Sequence, residues 1–447
     1  MFSFYTFSSH FLGKVIRSLL VKEVTTLIKN KRVVFVSLFM VLVLVIAGCT
    51  GADNPDEGNM DSMDHENMDM NEKDENMGGM NNKGETNGAA QDGRTTAATK
   101  NVTRIAQDDP VKAAIETAQI VWPATSEANR PGTVLLGVTD NWATNLAAVT
   151  LIHHPNNGPL LYAGEDQIPE ATMDEIERLN PIGSDTNNGV QVITVGDFAD
   201  NVQQQLEDAG WKVDTITGSD PVELAAQLDA YYAKVADQLP TSVIVGAVES
   251  PDYTLPAANW IAHMPEPLLY VNRDGIPDAT KEALAKRDGK ANIYLLGPKE
   301  AVLANVEEQL GEYGKVTRIS GPTPEENAIA FAKYKDKSSK FGWGITEPGH
   351  GLTFNLLSNP EAAIASAPFA HLGKHAPMLI MEQPNLSDTM MDYIASLQPS
   401  FKDDPTVGPY NHAFLIGSGD AIPFSTQGMI DQMLEIISEG GGGHGGH

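Results

Sequence analysis

From about residue 100 onward the chain alternates short apolar runs with amphipathic stretches. Thr133-Val-Leu-Leu-Gly-Val138 and Ser242-Val-Ile-Val-Gly246 lack the polar alternation of a half-exposed strand. They therefore read as strands covered on both faces. Ala171–Leu179 and Thr280–Ala285 carry apolar residues at helical spacing. Buried runs alternating with such helices predict parallel βαβ units and an α/β fold.

The pattern recurs three times, in the same order. Val102-Thr-Arg-Ile105, Val213-Asp-Thr-Ile216 and Val316-Thr-Arg-Ile319 each precede an Xaa-Pro pair: Asp109-Pro110, Asp220-Pro221 and Thr323-Pro324. Pro after an Asp or Thr cap predicts a helix start. Next come Gly158-Pro-Leu-Leu-Tyr162, Glu266-Pro-Leu-Leu-Tyr270 and Ala376-Pro-Met-Leu-Ile380, whose prolines are separated by 108 and then 110 residues. Each of these precedes a predicted helix. The third set is Val190–Gly196, Ala291–Gly297 and His412–Gly417, apolar runs whose final glycine permits a tight turn at the strand's end. We delimit the repeats as 101–212, 213–315 and 316–439, each near the usual size of a domain.

The N-terminal third is different. Lys29, Lys31 and Arg32 precede an apolar run from Val33 to Ile46, which ends Ile46-Ala47-Gly48-Cys49. That run is short for a spanning helix and suits the core of an export signal. Small residues followed by the only cysteine resemble the lipobox of bacterial lipoproteins. The resemblance implies a signal sequence over 1–48 and diacylglycerol on Cys49, which would become the first mature residue. A single cysteine also excludes an intrachain disulfide framework.

Residues 51–100 contain no Val, Ile, Leu, Phe, Tyr or Trp. Such a stretch cannot bury enough surface to offset chain ordering, so 49–100 is expected to be a disordered tether. As a flexible coil it reaches roughly 35–45 Å on average. Six of its residues are methionines, surrounding His65. Thioethers are soft ligands, so Met63, His65, Met68 and Met70 could wrap a copper(I) ion. The alternative is a solvated spacer. The Gly-rich tail 440–447, with His444 and His447, reads as a flexible end.

Net charge is -29 for the whole chain. Residues 1–50 carry six basic groups against one acid, whereas 101–447 carry 20 against 46. This asymmetry separates a membrane-directed end from an acidic exported body. It also argues against nucleic acid as a partner, since phosphate binding needs a basic surface.

The three repeats resemble the cell wall-binding repeat type 2 family of Gram-positive surface proteins. The residues that carry the resemblance are Arg104-Ile105, Thr139-Asp-Asn-Trp142, Asn145-Leu-Ala-Ala148, Pro159-Leu-Leu161 and Val195-Gly196 in repeat one, and Arg318-Ile319-Ser-Gly321 in repeat three. The resemblance covers about 102–437. It implies three tandem α/β repeats packed as a pseudo-threefold trimer within one chain, anchored non-covalently to an anionic wall polymer. The family's second Arg, followed by Tyr-Glu-Thr-Ala, is absent, and Thr215 stands where the other repeats have Arg. The acidic body would repel an anionic polymer over roughly 8–10 Å. Binding then calls for a basic groove, or for Ca²⁺ or Mg²⁺ between carboxylates and polymer phosphates.

The expected ligand contacts are Arg104, Asn141, Trp142 and Arg318, together with Glu347 and His350 in the segment Gly342-Trp-Gly-Ile-Thr-Glu-Pro-Gly-His-Gly351. That segment is expected to correspond to a strand and its following turn, at the carboxyl edge where open α/β sheets bind ligands. His153, His154, His263, His371 and His375 all precede the Pro-Leu-Leu strands. In a threefold arrangement they could converge on zinc or copper, or each could simply cap its own helix. The chain shows no Gly-Xaa-Ser-Xaa-Gly, no His-Glu-Xaa-Xaa-His and no cysteine in the body. The expectation is a non-enzymatic, lipid-anchored extracytoplasmic protein that binds the wall. The alternatives are a copper-handling protein using the tether, and a solute-binding lipoprotein.

Overall fold

The computed structural model describes residues 96–153, 156–371 and 375–440. The signal sequence, Cys49, the Met63/His65/Met68/Met70 segment, His154 and the tail beyond Gly440 lie outside the described residues. The described chain is α/β, built from three largely parallel sheets.

The first sheet holds β3 (Val134–Val138), β4 (Leu160–Ala163), β5 (Val192–Gly196) and β6 (Val213–Thr217), in the order β4-β3-β5-β6. The second holds β7 (Ser242–Ala247), β8 (Leu268–Val271), β9 (Ala291–Leu296) and β10 (Gly314–Ile319), in the order β10-β9-β7-β8. In the third, β11 (Gly351–Leu356), β12 (Met378–Met381) and β14 (His412–Ile416) are joined by β2 (Val102–Ile105) from the far end of the chain. The register is Ala413↔Val102 through Ile416↔Ile105. β1 (Thr96–Ala98) adds to β2 in antiparallel fashion. β13 (Ser400–Phe401) and β15 (Ile437–Ser438) make a small parallel pair.

Two expectations change here. Each sheet is offset by one strand from the repeat boundaries at 101, 213 and 316, because the Val-Xaa-Xaa-Ile strand that opens one repeat completes the sheet of another. Thr96–Ala98, within the 49–100 stretch expected to be a disordered tether, is a strand. β2 offers an edge of backbone donors and acceptors that pairs regardless of side-chain hydrophobicity.

The helices start as their sequences dictate. Asp109 accepts from the amides of Val111 and Lys112 at 2.9 and 3.2 Å, opening Pro110–Val121. Asp220 accepts from Val222 at 2.8 Å, opening Pro221–Val235. Thr323 and Glu326 form a reciprocal capping box at Pro324–Lys333. Each of these helices leaves one sheet and packs on the next: Pro221–Val235 follows β6 and lies against β8. Arg287 holds that helix with a bidentate pair to Asp229, at 2.8 and 2.9 Å. The helices Trp142–Ala148, Ala257–Ile261 and Pro360–Ala365, one per repeat, meet at the junction of the three sheets. Their apolar faces merge into one core that runs through all three repeats.

Candidate functional site

The paired arginines of the repeat motif lie at the carboxyl ends of the sheets, but they face inward. Arg104 is fully buried. It donates to the carbonyls of Gly417, Ser418 and Ile422 at 2.9, 2.9 and 2.8 Å, to Pro423 at 3.3 Å and to Gln427 Oε1 at 2.7 Å. Its guanidinium also sits 4.6 Å from the centre of the Phe424 ring. Arg318 repeats the arrangement in the second sheet, donating to Gly297 O at 2.8 Å, Val302 O at 3.0 Å and Glu307 Oε2 at 2.9 Å. The glycines they hold have φ of +140° and +104°, a region L-residues seldom adopt. Each arginine thus fastens the turn after its sheet's third strand to the helix that follows. Full burial corrects the expectation that Arg104 contacts a ligand, whereas Arg318 is half-buried and commits three of its N–H donors to the turn and Glu307. In the first sheet Thr194 donates to Thr215 at 3.0 Å instead.

Asn141 and Trp142 are half-buried. Asn141 caps Trp142–Ala148, accepting from the Thr144 amide at 3.3 Å. Trp142 stands edge-on to Tyr270 of the second repeat, 6.3 Å between centroids. Asn141 is therefore engaged by its own helix, and Trp142 packs at the seam with the second repeat.

Glu347 is exposed and His350 half-buried. Their segment does not follow a strand. It precedes β11, whose first residue is Gly351, so it sits at the amino edge of the sheet. The Gly-rich stretch lacks the continuous apolar pattern of a buried strand, whereas Leu352-Thr-Phe-Asn-Leu356 carries it. Asn411 Oδ1 accepts from the amides of Gly349 and His350 at 2.7 and 3.3 Å and fixes the turn.

The histidines do converge at this edge. His153, His263 and His371 each follow the last turn of the junction helix in their own repeat. Ring centroids are 4.3 Å apart for His153 and His371, 6.1 Å for His153 and His263, and 5.3 Å for His263 and His375. His350 is 5.5 Å from His375, and Trp343 stacks on His263 at 5.7 Å. His371 Nε2 bonds Asn157 Oδ1 at 3.0 Å. Burial holds His263 and His350 below the usual histidine range. His375 falls to about 4, through burial first and then the neighbouring His263, His350 and Lys335. His153–His371 and His263–His375 pack edge to face, and His153–His263 and His350–His375 are tilted. Among the described residues no group of three or more His, Cys, Asp or Glu is placed to hold a metal ion. The cluster is an aromatic junction between the repeats.

The sequence reading missed two features at the carboxyl edge of the third sheet. One is an acidic groove of about 480 Å³ between Pro324–Lys333 and the loop after β12, with Glu325, Glu326 and Glu382 on its walls. Ser387 donates to Glu325, whose carboxyl is pushed up by burial and by Glu382 and Glu326. The other is a smaller crevice between β11 and β14. Non-local strand order creates both, and nothing local in the sequence marks them.

The architecture places the chain among proteins of parallel-sheet βαβ repeats. Similar solved structures are Cwp6 from Clostridium difficile, with TM-score 0.60 and 20% identity over 77% of this chain and 50% of that one, and Cwp8 from Clostridium difficile, with TM-score 0.56 and 16% identity over 75% of this chain and 52% of that one. The chain thus spans about half the length of the proteins it matches. No protein-family model and no curated protein sequence matches it.

Proposed function

We propose that this chain is a non-enzymatic extracytoplasmic protein that binds a cell-wall polymer through its three repeats, held to the membrane by a lipid on Cys49. The observation that supports the reading is the combination of the repeat motifs with a fold shared with Cwp6 and Cwp8. The arginine turns explain why the motif recurs: it builds the fold, and the polymer meets the surfaces that the fold arranges. A body with 46 acids against 20 basic groups engages an anionic polymer through divalent cations, since bare charges would repel. The test is a pull-down of the purified protein on isolated cell walls, before and after polymer extraction, with EDTA or added Ca²⁺. The reading expects binding that is lost on extraction and weakened by EDTA. Absence of binding under every condition overturns it.

The Met/His stretch supports a second reading, copper(I) handling by the tether. Deleting residues 59–80 should then abolish copper retention and leave wall binding intact.

A further inference from the structure

One stretch of the acidic body carries the opposite charge. It is Lys333-Tyr-Lys-Asp-Lys-Ser-Ser-Lys340, four lysines against one acid, at the end of Pro324–Lys333 and in the connection to β11. No other eight-residue window of 101–447 holds four basic groups. The matching connections of the other repeats, 122–133 and 236–241, contain no lysine. The run is built as a closed turn. The Asp336 amide donates to the Phe341 carbonyl at 2.8 Å, and the Lys340 amide to the Asp336 carbonyl at 3.0 Å. Phe341 is fully buried and stacks on Tyr294 of β9 at 3.6 Å, which anchors the turn to the second sheet. The one acid is spent inside. Asp336 Oδ1 accepts from the Ser338 amide and hydroxyl at 2.8 and 2.6 Å, and Oδ2 from the Tyr294 hydroxyl at 3.0 Å.

The lysines are left outside. Lys335, Lys337 and Lys340 are exposed, as is Lys315 near the start of β10. Lys315 comes within 3.9 Å of Asp336 Oδ2, which puts it beside the turn. Lys335 spends one donor on the Gly342 carbonyl at 2.7 Å. Among the described residues no carboxylate forms an ion pair with Lys335, Lys337 or Lys340. Partial burial, and then Lys340, hold Lys335 below the usual lysine range against the pull of Glu266. An anion between these ammonium groups relieves their mutual repulsion. Lysine meets phosphate as a point charge, without the planar match an arginine demands. Phe341 and Tyr294 are stacked on each other and Tyr334 packs against both, so no ring is free to hold a nucleic-acid base. The turn exposes no large apolar side chain to insert into a bilayer. A linear polyanion of repeated phosphates fits what remains.

We propose that Lys315, Lys335, Lys337 and Lys340 form a cation-independent contact for consecutive phosphates of a linear polymer. This deepens the wall-binding reading and rests on it for the natural ligand. The divalent cations of that reading serve the acidic remainder of the surface, and the lysine turn needs none. The test titrates the purified full chain, in EDTA, with long-chain inorganic polyphosphate, orthophosphate, poly-glutamate and phosphatidylglycerol vesicles. Polyphosphate should bind at least tenfold tighter than each of the others, per charged group. Four contacts predict a slope of log K against log salt of about −3. Lys337→Gln with Lys340→Gln should keep the circular dichroism spectrum, weaken polyphosphate at least tenfold and halve the slope. Lys337→Arg with Lys340→Arg should restore binding. Lys112→Gln with Lys299→Gln makes the same charge change at the sheets' carboxyl edges and should leave binding within twofold. Absence of polyphosphate binding, equal or tighter binding of orthophosphate, poly-glutamate or the vesicles, or an equal loss in the two Gln pairs each overturns the proposal. On isolated walls, parent binding that survives EDTA should vanish in the Lys337/Lys340 Gln pair; parent and variant retained equally in EDTA also overturns it. A parent that binds no wall under any condition overturns the wall-binding reading instead, and the polyphosphate titration then decides the lysine turn by itself.

Discussion

Tyr270 in the second repeat donates its hydroxyl to the backbone carbonyl of Ala143 in the first, at 2.6 Å. Tyr162 in the first repeat donates in the same way to the carbonyl of Glu361 in the third, at 2.8 Å. Both tyrosines are fully buried. The matching residue of the third repeat is Ile380, which has no hydroxyl to offer. The tyrosine bond is therefore made on two sides of the junction, and on the third side Asn259 Nδ2 of the second repeat donates to Thr353 Oγ1 and the Ala376 carbonyl of the third, at 3.0 and 2.9 Å.

Tyr270→Phe keeps the ring and leaves a buried carbonyl without this donor. It should destabilise the protein by about 1 kcal/mol, with a similar loss for Tyr162→Phe. The two changes share no partner and should add within about 0.5 kcal/mol. Urea midpoints at constant m-value would check both. A Tyr270→Phe midpoint equal to that of the parent protein would show that the bond contributes nothing to the seam.

Arg104 should be a larger structural determinant. Arg104→Ala strands several buried carbonyls and Gln427 at once, so the loss should be on the order of 3 kcal/mol or more. Arg104→Lys should rescue little, because an ammonium cannot reproduce the planar fork that reaches both Gln427 and the turn carbonyls. Arg318→Ala should cost less, since Arg318 is partly exposed and makes fewer contacts. Thermal denaturation of the three variants gives the ranking. Wall binding per folded molecule should be unchanged in Arg318→Ala, which separates a fold-building role from ligand contact.

Much of this fold is legible along the chain. The strand at Val134–Val138, the capped helices after Asp109, Asp220 and Thr323, and the positive-φ glycines at strand ends all follow from local rules. Strand membership is not legible, because tandem repeats have no natural first residue. Val102–Ile105 looks like the start of repeat one whether it pairs with β5 or, as here, with β14. The Arg-Ile pair illustrates the same limit for sites. Its recurrence is visible, but only the burial of Arg104 shows that recurrence serves the turn. That Asn355 stands where the other two sheets have Gly137 and Gly246 is invisible until strand register aligns them.

The histidine junction should loosen in acid. His263, His350 and His375 are all held below the unperturbed histidine value, so the unfolded chain binds protons that the folded chain does not. Their stabilising contribution is present above about pH 6.5 and is lost as pH falls through the folded values. The groups that face them are Lys335, which opposes protonation of His263 and His375, and Glu347, which favours it on His350. Imidazole proton shifts followed by NMR should place His375 near 4. A His375 midpoint at or above 6.5 would contradict the packed, desolvated junction.

Glu361 should act in the opposite direction. Its carboxylate accepts both oxygens' bonds from Asn145 Nδ2, at 3.0 and 3.2 Å, across the seam between the first and third repeats. Burial nevertheless raises its pKa to about 7, while bonds from Asn145 and Tyr162 and the Asn141 amide pull it back, and Asp140 pushes it up. For an acid with a raised folded value the folded state holds the extra proton. The benefit is fully present below the unfolded value near 4.5 and is lost as pH rises through about 7. Glu116, also raised to about 7 by burial, titrates in the same window, so the parent protein carries both contributions. Glu361→Gln removes one of them. The histidine contributions are common to both proteins, so stability of the variant minus that of the parent should rise by on the order of 2 kcal/mol from pH 4.5 to 7. Unfolding measured in urea at half-unit pH steps would test this. Parallel parent and Glu361→Gln curves would mean that Glu361 ionises inside the seam as readily as it does in water.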